Sequence, residues 1–328
     1  MEKLEALSSI SRLSDHVIRI LGQNPGKFTL QGTNTYLVGS QNPYALIDTG
    51  QGLPEYVPVL ESALKDPDIA SPSNPDEPDL SDIVITHRHH DHCGGLPSFP
   101  LPPSYSDAHL QSVVDSLEAG SYEPDPTGSP FYDLLDNQLL PTTASPSSAE
   151  SALHVLHTPG HTPDSICLYF PPDKALFTAD TVLGQGTAVF EDLTAYLSSL
   201  RKMLTFSPNG PSPDTHTNGI PPYTTIYPGH GPVLKNGPQT ISTYINHRLE
   251  RESQIIAVLR NPPPASATGE VAWTPWTIVK TVYSAYPEPL WAPAAHSVEL
   301  HLKKLEVDGR VRKIGSGEGR DAGWILVE

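Results

Sequence analysis

Cysteine is nearly absent. Cys93 and Cys167 are the only two among 328 residues, too few for a disulfide framework, so nothing in the chain calls for an oxidising compartment. Basic residues are scarce as well: 20 Lys and Arg stand against 37 Asp and Glu, for a formal charge of -17. That balance disfavours coating of a phosphate backbone by bulk attraction, though not a local basic patch. No apolar run approaches the ~18 residues that a membrane-spanning helix needs. The opening stretch MEKLEALSSISRLSDHVIRI carries Glu2 and Glu5 and no signal-peptide core. A soluble cytoplasmic protein with no membrane partner is therefore expected.

Proline (36) and glycine (24) are plentiful instead, which predicts many turns and long connections. The acidity is local: residues 1–234 hold 27 acidic and 9 basic side chains, whereas 235–328 hold 10 and 11. Much of it sits in Pro-rich segments at 66–82 and 123–130, with a third such segment at 207–222, all read as surface loops. Between them lie apolar runs of strand length at 16–21, 35–39, 44–50, 82–87, 152–160, 165–170, 175–180 and 224–229. Helices are predicted over 54–65, 108–119 and 191–204. From Pro238 the texture changes to one amphipathic helix, with Ile241, Ile245, Leu249, Ile256 and Leu259 near helical spacing. Two more helices at 275–286 and 293–307 and a Gly-rich hairpin complete a winged-helix-like module. Two domains are expected, 1–236 and 237–328.

The strongest chemical signal is THRHHDHCGG at 86–95, directly after the apolar run DIVIT. His87, His89, Asp91 and His92 carry the imidazole and carboxylate donors that suit Zn²⁺ and related metals. Four donors within six residues crowd a single small ion, so the spacing suits two adjacent ions. Further donors stand at later strand ends: His161 in HTPGHT, Asp180 in FTADT and His230 in YPGHG. A chain with 14 His shows some clustering by chance, and His16, His109, His154, His157, His216 and His301 are read as ordinary surface or core groups. Cys93, Arg88 and His90 are read as turn and spacer residues.

At these residues the chain resembles the metallo-β-lactamase superfamily, whose HxHxDH motif is followed by a lone His, a lone Asp and a final His. The resemblance implies an α+β four-layer αβ/βα sandwich, the metallo-β-lactamase fold, here followed by the small winged-helix-like α domain. It implies that His87, His89 and His161 hold one metal, that Asp91, His92 and His230 hold a second, and that Asp180 bridges them. Asp48, in the IDTG turn, is implied to support the site rather than to ligate. Two Zn²⁺ are the expected cofactors, with Mn²⁺ or Fe as alternatives. Two ions ~3.5 to 4 Å apart share a bridging water, lower its pKa and polarise the electrophile. A metal-bridging hydroxide is thus the expected nucleophile, with Asp91 as the catalytic residue that orients it.

A narrower resemblance covers nearly the whole chain, through segments 21–39, 178–200, 227–252 and 294–311. These are similar to the acyl-carrier-protein thioesterases of aromatic polyketide pathways and to the mitochondrial lactamase-like endoribonuclease. The expected function is thioester release of a polyketide acid from the acyl carrier protein of a polyketide synthase. Single-strand-specific RNA cleavage is the alternative, disfavoured by the acidic catalytic part, and a non-catalytic binding module is a distant third. Lys303, Lys304, Arg310, Arg312 and Lys313 form a candidate basic dock. Asn34, Thr35, Gln185, His247 and Arg248 are implied to lie near the mouth of the site.

Overall fold

The computed structural model describes residues 4–99, 107–120, 132–143, 149–208, 222–264 and 272–327. The Pro-rich segment at 123–130, most of that at 207–222, and His216 with it, lie outside the described residues. Two five-stranded sheets form the core of the larger part. The first runs in the order β1 (Ile10–Arg12), β2 (Val17–Leu21), β3 (Asn34–Val38), β4 (Tyr44–Ile47), β5 (Leu80–Val84). The second runs β10 (Thr225–Pro228), β9 (Ala175–Ala179), β8 (Ile166–Phe170), β7 (Leu153–His157), β6 (Leu139–Leu140). Both are antiparallel except at one edge, where β4 with β5 and β9 with β10 pair in parallel.

The period-2 alternation of these strands decides which side chains meet. Val17, Tyr36, Val38, Ala45, Ile47 and Val84 of the first sheet face Leu153, Val155, Leu168, Phe170 and Phe177 of the second. The alternate residues Ile18, Ile20, Leu37 and Leu46 turn outward under helix α1 (Tyr56–Lys65), packing on its Tyr56, Leu60 and Ala63. On the far side, Cys167, Tyr169 and Leu176 pack beneath α4 (Leu193–Thr205) and the first half of α5 (Gly237–Leu259). Sheets buried on both faces explain why the strands read as continuous apolar runs. The result is helix, sheet, sheet, helix: the four layers expected.

Each of the eight expected strands is present, and the two additions, β1 and β6, are short strands at sheet edges. Two helices lie between the sheets in sequence: the single turn α2 (His90–Cys93) and α3 (Asp107–Glu118). Helices α6 (Pro275–Val282) and α7 (Trp291–Val307) and the hairpin of β11 (Val311–Ile314) with β12 (Gly323–Leu326) build a second core. That core contains Ile278, Val279, Val298, Leu302, Leu305 and Trp324, together with Ile255, Ile256 and Leu259 of α5. Helix α5 is thus common to both cores: its Ile241, Tyr244 and Ile245 pack against the sandwich and its last turns against the winged helix. Among the described residues, no helix is long and apolar enough to cross a membrane.

Candidate metal centre

The strands deliver their polar ends to one edge of the paired sheets. After β5 the chain bends at His87 and Arg88 and is extended at His89 (φ -64°, ψ 138°), which brings His87 Nε2 within 3.0 Å of His89 Nδ1. It then tightens into α2, which carries Asp91 and His92. His161 follows β7, Asp180 follows β9 directly, and His230 comes two residues after β10. Ala179, just before Asp180, has a φ of +44°, and the β9 and β10 register shifts at Pro228. This irregularity turns Asp180 out of the sheet. Gly229 then allows close approach, since a Cβ there would lie 2.4 Å from Asp180 Oδ1.

The seven donors form two sets, His87, His89, His161 and Asp180 on one side and Asp91, His92 and His230 on the other. In the first, His161 Nε2 is 2.9 Å from His89 Nδ1 and 3.2 Å from His87 Nε2, and the latter two are 3.0 Å apart. Ligands of a tetrahedral ion at ~2.0 Å would stand about 3.3 Å apart, so these spacings match a metal cage. In the second, His230 Nε2 is 3.1 Å from Asp91 Oδ2, and His92 Nε2 is 3.4 Å from the same oxygen. Asp180 stands between the sets, with Oδ2 3.7 Å from His161 Nε2 and 3.2 Å from His230 Nε2, and Oδ1 3.4 Å from His92 Nε2. His92 Nε2 and Asp180 Oδ1 are buried without a hydrogen-bond partner. Unpaired buried polar atoms on facing side chains are what a bound cation would satisfy. Donor chemistry, spacing and orphaned atoms together fit a two-metal centre.

Outer contacts hold the ring orientations. His92 Nδ1 donates to Asp48 Oδ2 at 2.7 Å, and Asp48 also accepts from the Thr86 amide (2.8 Å) and hydroxyl (2.9 Å). His87 Nδ1 lies 3.1 Å from Thr86 Oγ1, and His161 Nδ1 donates to the Val189 carbonyl at 2.9 Å. Such contacts fix which nitrogen offers its lone pair. Thr33 Oγ1 donates to Asp91 Oδ2 at 3.2 Å. Asp48 thus sits behind His92 as a supporting carboxylate, held at a φ of +59° that Asp tolerates better than most residues.

Burial and neighbouring histidines push His87 and His89 down, so both are neutral lone-pair donors at pH 7. In the second set the carboxylates win. Burial opposes charge on His92, but Asp48, Asp180 and Asp91 hold it well above its ordinary value; Asp180, against burial, holds His230 up at about 9. Burial likewise opposes charge on Asp91, yet His92 and His230 hold it at about 2. A metal must displace the proton on His230, so loading at pH 7.5 is expected to release protons, and affinity is expected to rise up to about pH 9. The sign is that of a raised pKa: the proton stabilises the metal-free fold fully below about 6.5 and is lost as pH rises through about 9. Calorimetric titrations in two buffers of different ionisation enthalpy measure the release; a heat independent of buffer contradicts it.

The remaining residues singled out by sequence separate clearly. Asn34 is buried, its Nδ2 donating to the carbonyls of Pro228 (2.8 Å) and Gly231 (2.9 Å), so it braces the turn carrying His230. Thr35 is equally buried, on Tyr56. Gln185 is half-buried, and His247 is exposed on α5. Arg248 is turned inward, 7% exposed, with Nη2 donating to the Ala188 carbonyl at 2.7 Å. Arg88 Nη2 donates to both carboxylate oxygens of Glu191 (2.7 and 2.9 Å), and His90 pairs with Glu118. Cys93 is buried on the Arg88 carbonyl, and burial raises its thiol to about 12, leaving no thiolate for ligation or attack. The basic dock needs correction: Lys304 is 13% exposed and closed between Glu252 (2.6 Å) and Asp308 (2.7 Å), and Lys303 pairs with Glu299. Spacing alone could not show these carbonyl and carboxylate partners.

Comparison with known proteins agrees with this geometry. Residues 28–230 match the metallo-beta-lactamase superfamily and residues 274–324 the beta-lactamase associated winged helix domain. The chain is 36% identical over 308 residues to the beta-lactamase-like protein 2 homolog of Drosophila melanogaster, covering 93% of each. It is 34% identical to the atrochrysone carboxyl ACP thioesterase of Aspergillus chevalieri, covering 99% of this chain and 91% of that one. A solved beta-lactamase domain protein from Burkholderia ambifaria superposes with a TM-score of 0.65 over 99% of this chain and 96% of that one; at 16% identity this is a likeness of fold alone. With a seven-donor His and Asp cluster at the sheet edge, the chain belongs to the metallo-beta-lactamase superfamily and is a metal-dependent hydrolase with a winged-helix domain at its C-terminal side.

Proposed function

We propose that this hydrolase cleaves the thioester of a polyketide acid bound to an acyl carrier protein, with His87, His89 and His161 on one zinc ion, Asp91, His92 and His230 on another, and Asp180 between them. The observation that carries the reading is the complete two-set cluster in a chain whose similarity to a protein named as an ACP thioesterase runs almost end to end. Two such ions, when bound, supply a water of lowered pKa and a Lewis acid for the carbonyl oxygen. The residues of the chain do the rest. Asp91, held as a carboxylate, accepts from Thr33 and is the most open carboxylate of the cluster, with 23% of its side chain exposed. It is placed to accept a hydrogen bond from the attacking water and so to orient it. The leaving group needs little protonation, because a thiol ionises near pH ~8.5.

The surroundings favour a thioester over a phosphodiester. A channel that tracks single-stranded RNA needs free cations along its wall. Two guanidinium groups are already engaged, that of Arg88, which lies between His87 and His89 in sequence, by Glu191 and that of Arg248 by the Ala188 carbonyl. The test compares hydrolysis of a carrier-bound acyl thioester with cleavage of single-stranded RNA by the intact chain and by a His89→Ala, Asp91→Ala double variant. Thioester turnover by the intact chain, reduced about a thousandfold or more in the variant, is expected. RNA cleavage lost in the variant, with no thioester turnover by either protein, would assign the endoribonuclease reaction instead.

A further inference from the structure

We propose that Arg248 is a positioning residue for His161: from α5 it grips the 188–190 strap whose Val189 carbonyl fixes the outer nitrogen of that imidazole. This rests on reading His161 as a ligand of the first metal. His161 offers Nε2 to the first set only while Nδ1 carries the proton, and that tautomer is selected by the 2.9 Å bond to Val189 O. Whatever locates this carbonyl therefore locates the lone pair.

Val189 cannot locate it alone, because its own side chain is 61% exposed. Its neighbours hold it. Ala188 and Phe190 are buried, and Arg248 takes both: Nη2 donates to Ala188 O at 2.7 Å while the guanidinium lies 4.8 Å from the Phe190 ring centre. Phe190 in turn stacks on Tyr196 of α4 at 5.3 Å, with His301 of α7 at its edge. Tyr244, one turn before Arg248 on α5, donates to Gly186 O at 3.1 Å. The strap then closes on the metal ligand's own turn, where the amides of Glu191 and Asp192 donate to Gly160 O (2.8 and 3.1 Å). One helix thus holds the strap at two carbonyls and one ring, and the strap holds His161.

The chemistry of Arg248 argues against simple filler. Its guanidinium is buried, its Nε has no partner, and among the described residues it makes no ion pair. A buried cation on carbonyl and aromatic faces is costly compared with an apolar residue of equal size. What Arg provides and Met does not is a planar donor that bonds a carbonyl and stacks on a ring at once. Because α5 also enters the winged-helix core, the contact couples the C-terminal domain to the first metal set.

The experiment measures zinc affinity of the first set by chelator competition, the visible spectrum of the Co²⁺-substituted protein, and kcat and KM, in Arg248→Met and Arg248→Lys. Expected for Arg248→Met are first-site affinity lowered about 10- to 100-fold, an altered Co²⁺ ligand-field band, kcat lowered and KM within about twofold. Arg248→Lys, which restores charge and one donor, is expected to fall between Met and Arg; if Arg248→Met fails to fold, this variant alone decides. Unchanged zinc affinity and Co²⁺ spectrum in the folded variant, with only a lower Tm, overturns the proposal in favour of packing. A raised KM with unchanged affinity overturns it in favour of direct substrate contact. Failure of the intact chain to bind zinc at His161 strikes the ligand assignment instead, and is read from the unsubstituted protein before any variant is made.

Discussion

Asp180→Asn is expected to lower kcat/KM for hydrolysis about a thousandfold or more, roughly 4 kcal/mol of transition-state stabilisation, while the fold survives. Asp180 is the one side chain whose two oxygens face both donor sets, 3.7 and 3.2 Å from His161 and His230 through Oδ2 and 3.4 Å from His92 through Oδ1. Two divalent ions side by side repel, and an anionic oxygen between them offsets that repulsion; a neutral amide does not. The fold is expected to tolerate the change because, without Asp180, His92 and His230 lose a partner that raises their pKa values and shed protons instead of leaving buried charge. Steady-state kinetics, metal analysis and a melting curve on one preparation check this. A variant with two tightly held metals and full activity would remove Asp180 from its place between the sets.

Asp48→Ala is expected to be the most destabilising single change at the site, by about 4 kcal/mol. It strips the acceptor from three buried donors, the Thr86 amide, the Thr86 hydroxyl and His92 Nδ1, each costing roughly 1 to 3 kcal/mol when left unpaired. It also places Ala at a φ of +59°, where Asp is tolerated and Ala pays about 1 kcal/mol more. Against a total stability of roughly 5 to 15 kcal/mol, that loss is severe. Asp48→Asn keeps the left-handed backbone and one acceptor oxygen, so it is expected to fold, with metal affinity at the His92 set down about 10- to 100-fold. Urea denaturation midpoints separate the two variants; equal midpoints for Asp48→Ala and the unsubstituted chain would contradict the hydrogen-bond account.

Much of this architecture was legible in the chain because apolar burial on both faces leaves an unbroken signature. Runs such as ICLYF (166–170) and ALFTA (175–179) have the length and the bounding turn residues of interior strands. The donors were legible because they are side chains of distinctive chemistry placed where those runs stop. What stayed hidden depends on backbone groups and on distant charges. β6, two residues long, has too little pattern to read. The partners of Asn34 and Arg248 are carbonyls of Pro228, Gly231 and Ala188, which every sequence offers everywhere. Proximity to the motifs therefore suggested a place at the mouth, whereas folding turned both side chains inward. Lys304 misled for a related reason: a basic run along the tail reads as solvated until Glu252, on a helix 52 positions earlier, closes over it.

In the proposed reaction, thioester release depends on both metal sets acting together. The direct measurement is to titrate metal-free protein with Zn²⁺ while following hydrolysis of an acyl thioester on a carrier protein. The expected result is no turnover at zero metal and a rise that levels off at two equivalents per chain. Full turnover in the chelated protein, or a thioester left intact once two equivalents of Zn²⁺ are bound, would contradict it.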